Sequence, residues 1–242
     1  MTLRIQPSAF DTEMLGVRVG KVAVSGLDRS LAELLRVELL ASDFDVAFVR
    51  DADFHFERVS QLPWTGLELA DVKLQLAIAV HAPAADAPSE FVIVQESRPD
   101  AGPALTAMAH SIARLSRFHR CFGEAAAFRL YEAWLRNSLA KQAADWCFVA
   151  RHVTSNEAAG LMAVKRHGGS ADLTMVATAE AYRGRGVLKQ MTSTVLGFLH
   201  GQDVRRCTVA TQASNRAALG AYQALGFAVE GTVVDLHMSR GQ

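Results

Sequence analysis

The residues best placed to do chemistry lie at 183–188, where Arg183-Gly184-Arg185-Gly186-Val187-Leu188 separates two kinds of periodicity. Before it, Leu173 to Thr178 is a β-favouring run. After it, Leu188, Met191, Val195 and Leu199 fall on one face of a helix. A strand, a glycine-rich turn and a helix N-terminus together make a holder for phosphate. The helix end presents unpaired backbone N–H groups and a partial positive charge, and glycine allows close backbone approach. Spacing excludes the two commonest nucleotide loops. No Lys-Ser or Lys-Thr pair follows at P-loop distance, and no Gly-x-Gly-x-x-Gly turn precedes an acidic residue about twenty positions on.

A second segment, residues 207–227, has the same layout. Cys207 to Thr211 alternates as a strand, and Ser214 or Asn215 can cap the helix that follows. Ala218, Leu219 and Tyr222 share one helical face, and Gly226 ends the helix. The two segments resemble the signature motifs of the GNAT superfamily of N-acetyltransferases. Arg183 and Gly186 match the family's Gln/Arg-x-x-Gly-x-Gly/Ala pyrophosphate loop, while Leu188 departs from its usual small residue and leaves the phosphates less room. Asn215, Ala218, Tyr222, Gly226 and Phe227 match Asn-x-x-Ala-x-x-x-Tyr-x-x-x-Gly-Phe position by position.

Finer similarity points to the TDP-fucosamine acetyltransferase branch, which acetylates a nucleotide-linked amino sugar. It runs through Val209-Ala210-Thr211-Gln212, Asn215, Ala217-Ala218-Leu219 and Tyr222, through Leu130 to Ser138, and loosely through Leu15-Gly16-Val17.

The resemblance implies an α/β fold: a mixed, splayed central sheet with flanking helices, the GNAT acyl-CoA N-acyltransferase fold, preceded by a smaller α/β N-terminal domain. It also implies acetyl-CoA (coenzyme A) lying between two parted strands. Val176, Thr178, Arg183, Gly184, Arg185, Gly186, Val187, Leu188 and Asn215 are then the cofactor-binding residues. A neutral amine attacks the acetyl thioester, so an oxyanion needs a backbone N–H donor, for which the strand at Val176–Thr178 is suited. The departing thiolate needs a proton. A phenol of pKa near ~10 can donate to a thiolate whose conjugate acid lies near ~8.5, which makes Tyr222 the expected general acid. Glu180 and His119 could each act as base, and nothing in the sequence selects either. In related transferases a Ser-Arg-Phe stretch lies near the acceptor pocket. Ser116, Arg117 and Phe118 match it, giving Arg117 and Phe118 as substrate-binding candidates and Arg117 as a partner for a substrate phosphate. A basic helix end complementing its dipole is the plainer reading of Arg114, Arg117, His119 and Arg120.

Composition bounds the partners. Twenty-five basic and twenty-five acidic residues cancel, so no global field favours nucleic acid or an anionic membrane. No apolar run is long enough to span a bilayer, and no signal-peptide core opens the chain. Cys121, Cys147 and Cys207 are few and scattered, which fits reduced thiols in a cytoplasm and core packing. Histidine and cysteine spacings give no metal site. The acidic cluster Asp43, Asp45, Asp51 and Asp53 reads as a solvated edge. The expected partner is a small-molecule amine, and a homodimer is open to the chain. Two other readings stand beside the sugar nucleotide: a protein-amine acetyltransferase and a degenerate acyl-CoA-binding module without turnover.

Organisation follows from the Pro- and Ala-rich stretch at 81–89, which reads as a linker. The division is residues 1–82 as a small α/β unit, 83–90 as linker and 91–242 as the acetyltransferase unit. In the first, strands are expected at 17–24, 46–49 and 73–80 around a helix at 31–41. In the second, strands are expected at 91–95, 147–151, 159–165, 171–178, 207–211 and 229–238. Helices are expected at 104–115, 124–139, from 188 and at 215–225.

Overall fold

The structure, a computed structural model, describes residues 4–55, 57, 66–82, 89–98 and 102–241. Its strands are β1 (Gln6–Pro7), β2 (Val19–Val24), β3 (Val46–Asp51), β4 (Leu67–Ala79), β5 (Phe91–Glu96), β6 (Trp146–His152), β7 (Ala158–His167), β8 (Ser170–Thr178), β9 (Arg206–Gln212) and β10 (Ala228–Ser239). Its helices are α1 (Ala9–Leu15), α2 (Arg29–Ala41), α3 (Gly102–Ala113), α4 (Arg117–Leu139), α5 (Val187–His200) and α6 (Arg216–Ala224). Among the described residues the ten strands form one sheet in the order β1-β2-β3-β10-β4-β9-β8-β7-β6-β5. The sheet is mixed, with β2–β3 and β8–β9 parallel and the other pairs antiparallel. Residues 1–82 and 91–242 share it, because the C-terminal strand β10 lies between β3 and β4. Residues 83–88 of the expected linker lie outside the described residues.

One irregularity shapes the centre. Strands β7 and β8 shift register where Ala163 pairs with Met175 and Val164 with Leu173, which leaves Thr174 as an extra residue. Such a bulge bends its strand and reverses which residues face which side. Side-chain packing shows the reversal. Ala171 and Leu173 pack in the cluster containing Met191 and Val195 of α5, whereas Met175 and Ala177 pack in the cluster containing Met108 of α3 and Leu130 of α4. Pairing of β8 with β9 stops at the same point, running only from Ser170–Arg206 to Leu173–Val209. Beyond it the two strands part. The helix that follows seats closely against the sheet because β7 carries Gly160. A Cβ there would lie 2.6 Å from Met191 Sδ and 2.7 Å from Val187 Cγ1.

Local signals explain the helix ends. Asp28 caps α2 by accepting from Leu31 N–H at 2.8 Å, and Asn215 caps α6 by accepting from Ala218 N–H at 3.2 Å. Helix α1 was not expected from the sequence; it ends at Gly16 in a left-handed conformation, φ +73°. Helix α4 starts seven residues before the expected 124, capped by Ser116, and breaks at Gly123, φ +81°. That break hid the first segment, because helical periodicity does not carry across it. The basic stretch at 117–120 is therefore a helix start, not a helix end. Asp51 also corrects the solvated-edge reading. It is fully buried and accepts from the backbone N–H groups of Gly26, Leu27 and Asp53 at 3.1, 2.7 and 2.8 Å. Asp45 keeps to expectation as an exposed partner of Arg18. No helix of the described residues is long and apolar enough to cross a membrane.

Buried His237 on β10 stacks on Phe48 of β3, ring centroids 4.4 Å apart, and its Nε2 has no hydrogen-bond partner. Burial, then the positive charge of Arg117, push its pKa down to about 3. Below the unfolded value near ~6.5 the unfolded chain takes up a proton that the folded chain refuses. Stability from this group is full above pH ~6.5 and falls as pH drops toward 3. Urea unfolding at pH 6.5 and 5 should show wild type losing about 2 kcal/mol more than His237→Phe, which keeps a ring against Phe48. Parallel losses in the two proteins would contradict it.

Candidate active site

The parting of β8 from β9 opens a cleft of about 1680 Å³ through the sheet. Val176 and Thr178 line it from β8, Ala210 and Gln212 from β9. At one end stand Arg183, Gly184, Gly186, Val187 and Leu188, and beside them Asn215 and Tyr222 of the second motif. At the other end stand Arg117 and Phe118 with residues of β3 and β4. Every expected site residue except Arg185 therefore lines one continuous space.

The loop end is built to leave backbone groups free. Gly184 and Gly186 take left-handed conformations, φ +77° and +80°, and nothing lies within 4 Å of where either Cβ would point. Gly186 is the N-cap of α5 and no side chain caps that end, so its first N–H groups have no intrahelical or capping partner. A pyrophosphate fits such a terminus. The loop is braced from behind. Tyr182 Oη donates to Glu157 Oε2 at 2.5 Å, and Gln190 Nε2 donates to the Phe91 carbonyl at 2.7 Å. Arg185 belongs to the brace. It pairs with Glu90 at 2.9 Å and lies over the Tyr182 ring, 5.1 Å from its centroid.

Tyr222 is buried, edge-on to Phe227 with centroids 5.4 Å apart. Burial, then nearby Cys207, raise its phenol above the ordinary value, so the hydroxyl keeps its proton through the neutral range. A protonated phenol on the wall of the cleft can donate to a developing anion. The cysteines cannot serve as nucleophiles there. Burial pushes Cys147 and Cys207 up to about 12, and Cys121 lies at the surface.

At the far end Arg117 is buried, and Nη1 meets Asp235 Oδ2 at 2.5 Å. Its guanidinium also lies over the rings of Phe118 and Phe48, at 4.5 and 5.3 Å. Lys73 of β4 reaches the same carboxylate at 2.8 Å, and Arg50 of β3 at 2.9 Å. Burial pushes Asp235 up, but Arg117, Lys73 and Arg50 outweigh it and hold the carboxyl at about 2. Sequence reading found Arg117 but missed Arg50, Lys73 and Asp235. Arg117 and Asp235 are 118 positions apart and meet only because β10 crosses into the N-terminal strands.

Known proteins share this frame. Residues 112–227, a little under half the chain, match the family model "Acetyltransferase (GNAT) family". No curated protein matches the chain by sequence. A conserved protein of unknown function from Staphylococcus epidermidis superposes with a TM-score of 0.63 at 11% identity, over 99% of this chain and 92% of that one. A tandem GNAT protein of the clavulanic acid biosynthesis pathway gives 0.53 at 16% identity, over 88% and 70%. The GCN5-related N-acetyltransferase of Sphaerobacter thermophilus gives 0.51 at 16% identity, over 81% of this chain but 60% of its own. The matched segment holds both the glycine loop at 183–188 and Tyr222. The chain thus shares the fold of these proteins and, over residues 112–227, matches the acetyltransferase (GNAT) family model.

Proposed function

We propose that the protein transfers an acetyl group from acetyl-CoA to the amino group of a TDP-linked amino-deoxy sugar, with Tyr222 as general acid. The observation that carries this reading is the cleft through the sheet where β8 leaves β9, with the open glycine loop and a protonated phenol on its walls. Acetyl-CoA supplies an activated acetyl group as its thioester. The uncapped N-terminus of α5 with Gly184 and Gly186 binds pyrophosphate, and Arg183 adds charge there. On β8, residues 174–178 have no strand partner on the β9 side, so alternate backbone N–H groups face the gap and can orient a carbonyl oxygen. Asn215 holds the start of α6 and so fixes where Tyr222 stands. Tyr222 holds a proton at Oη for the leaving sulfur.

The sugar-nucleotide acceptor is supported by the branch resemblance and by the cations of the cleft's far end. Strands of the unit at 1–82 wall that end, while 91–242 supplies the loop, the splay and Tyr222. The size of the cleft leaves room for a bulky small molecule beside the cofactor arm.

Two measurements test the reading. In steady-state assays Tyr222→Phe should keep its packing against Phe227, lose about 10²–10⁴-fold in kcat and change KM little. Near-full kcat, with chemistry shown to limit the rate, would reduce the tyrosine to a packing residue. In side-by-side assays TDP-linked 4-amino-4,6-dideoxy sugars should outrun histone-like peptides and aminoglycosides in kcat/KM. A peptide amine as the best acceptor would overturn the substrate and leave acetyl transfer standing.

A further inference from the structure

We propose that Arg50, Lys73 and Arg117 form a seat for an anionic phosphate or diphosphate ester carried by the acceptor. The proposal rests on the reading of the cleft as an acetyltransferase site, and it assigns Arg50 and Lys73, from the N-terminal strands, to substrate.

The reason is a charge imbalance with a direction. One carboxylate, Asp235, holds three cations within 2.9 Å, leaving two positive charges in excess. The three cations line the cleft, while Asp235 is 3% exposed and stands behind them. Other carboxylates of the cleft do not offset the excess. Asp11 is committed to Lys21, and Asp172 to Thr208 and His167. Asp71, two residues from Lys73 on β4, is faced by Arg120 at 3.7 Å, and its Oδ2 has no hydrogen-bond partner. Asp71 and Arg120 offset each other as an ion pair, and neighbouring His237 adds no negative charge. Burial, then the charge of Arg117, push the Lys73 ammonium down, a sign of like charges crowded where water is scarce. A bound dianion relieves that repulsion and gains charge-assisted hydrogen bonds.

The side chains are also graded for access. Arg50 is 55% exposed, Lys73 22% and Arg117 8%, so the first two can reach a ligand while the third sets the field from below. Guanidinium groups match phosphate oxygens in pairs. The cofactor's own phosphates are not the ligand meant here. Arg117 begins α4, which packs on one face of the sheet, whereas the glycine loop leads into α5 on the other.

The experiment is calorimetric titration of TDP, and separately of inorganic pyrophosphate, into the full chain already saturated with CoA. Wild type should bind both. Lys73→Met and Arg50→Gln should each weaken both by about tenfold or more, with CoA affinity and melting temperature unchanged. Each variant leaves Asp235 two cations, so the fold is kept. Tighter binding of TDP than of pyrophosphate assigns the seat to a nucleotide ester, and equal binding assigns it to phosphate alone. If neither probe binds the CoA-saturated wild type, or both variants bind as well as wild type, the seat does not exist. The sugar-nucleotide reading fails separately, by the acceptor comparison, and Lys73-dependent TDP binding would survive that failure.

Discussion

A single extra residue governs this molecule. Thr174 bulges out of the β7–β8 ladder, and at that point β8 turns its side chains over and leaves β9. A parallel pair continued to the ends of both strands would close the sheet and satisfy every backbone group. Interrupted at Leu173–Val209, it opens a passage from one face of the sheet to the other. The helices then take their places around that passage. Gly160 admits α5 to close contact, and the α5 N-terminus arrives at one mouth with its backbone donors free. The Asn215 cap places α6 and its tyrosine along the wall. Irregular backbone is here the means by which a sheet opens a passage between its own strands.

The second organising feature is electrostatic and comes from topology. By lying between β3 and β4, β10 delivers Asp235 among Arg50, Lys73 and Arg117. A single carboxylate among three cations is enough to hold them in place and too little to neutralise them. Arg185 shows the contrasting case. Its charge is matched by Glu90 and its face is covered by Tyr182, so a residue that belongs to the loop by sequence acts as a brace for it.

The parts legible in the sequence were those written locally. Strand, glycine turn and helix at 171–200, and strand, cap and tyrosine at 207–227, each fit within one short window, so residue type and spacing sufficed to locate them. The strands at 46–51, 91–96 and 158–167 were found within a few residues for the same reason. What escaped was either interrupted or non-local. The start of α4 lay behind the break at Gly123. Asp51 looked solvated among four aspartates, yet its two oxygens take three backbone N–H groups from the turn at 26–27 and from Asp53. Asp235 and Arg50 are 185 positions apart, and no window of sequence holds both.

The central claim is that acetyl-CoA lies in the gap between β8 and β9 with its pyrophosphate on the glycine loop. Amide hydrogen exchange with and without acetyl-CoA reads the backbone groups concerned directly. The account predicts new protection at residues 176–178 and 184–189, with little change across β1 to β3. Binding of acetyl-CoA that protects other segments and leaves both of these exchanging as before would contradict it.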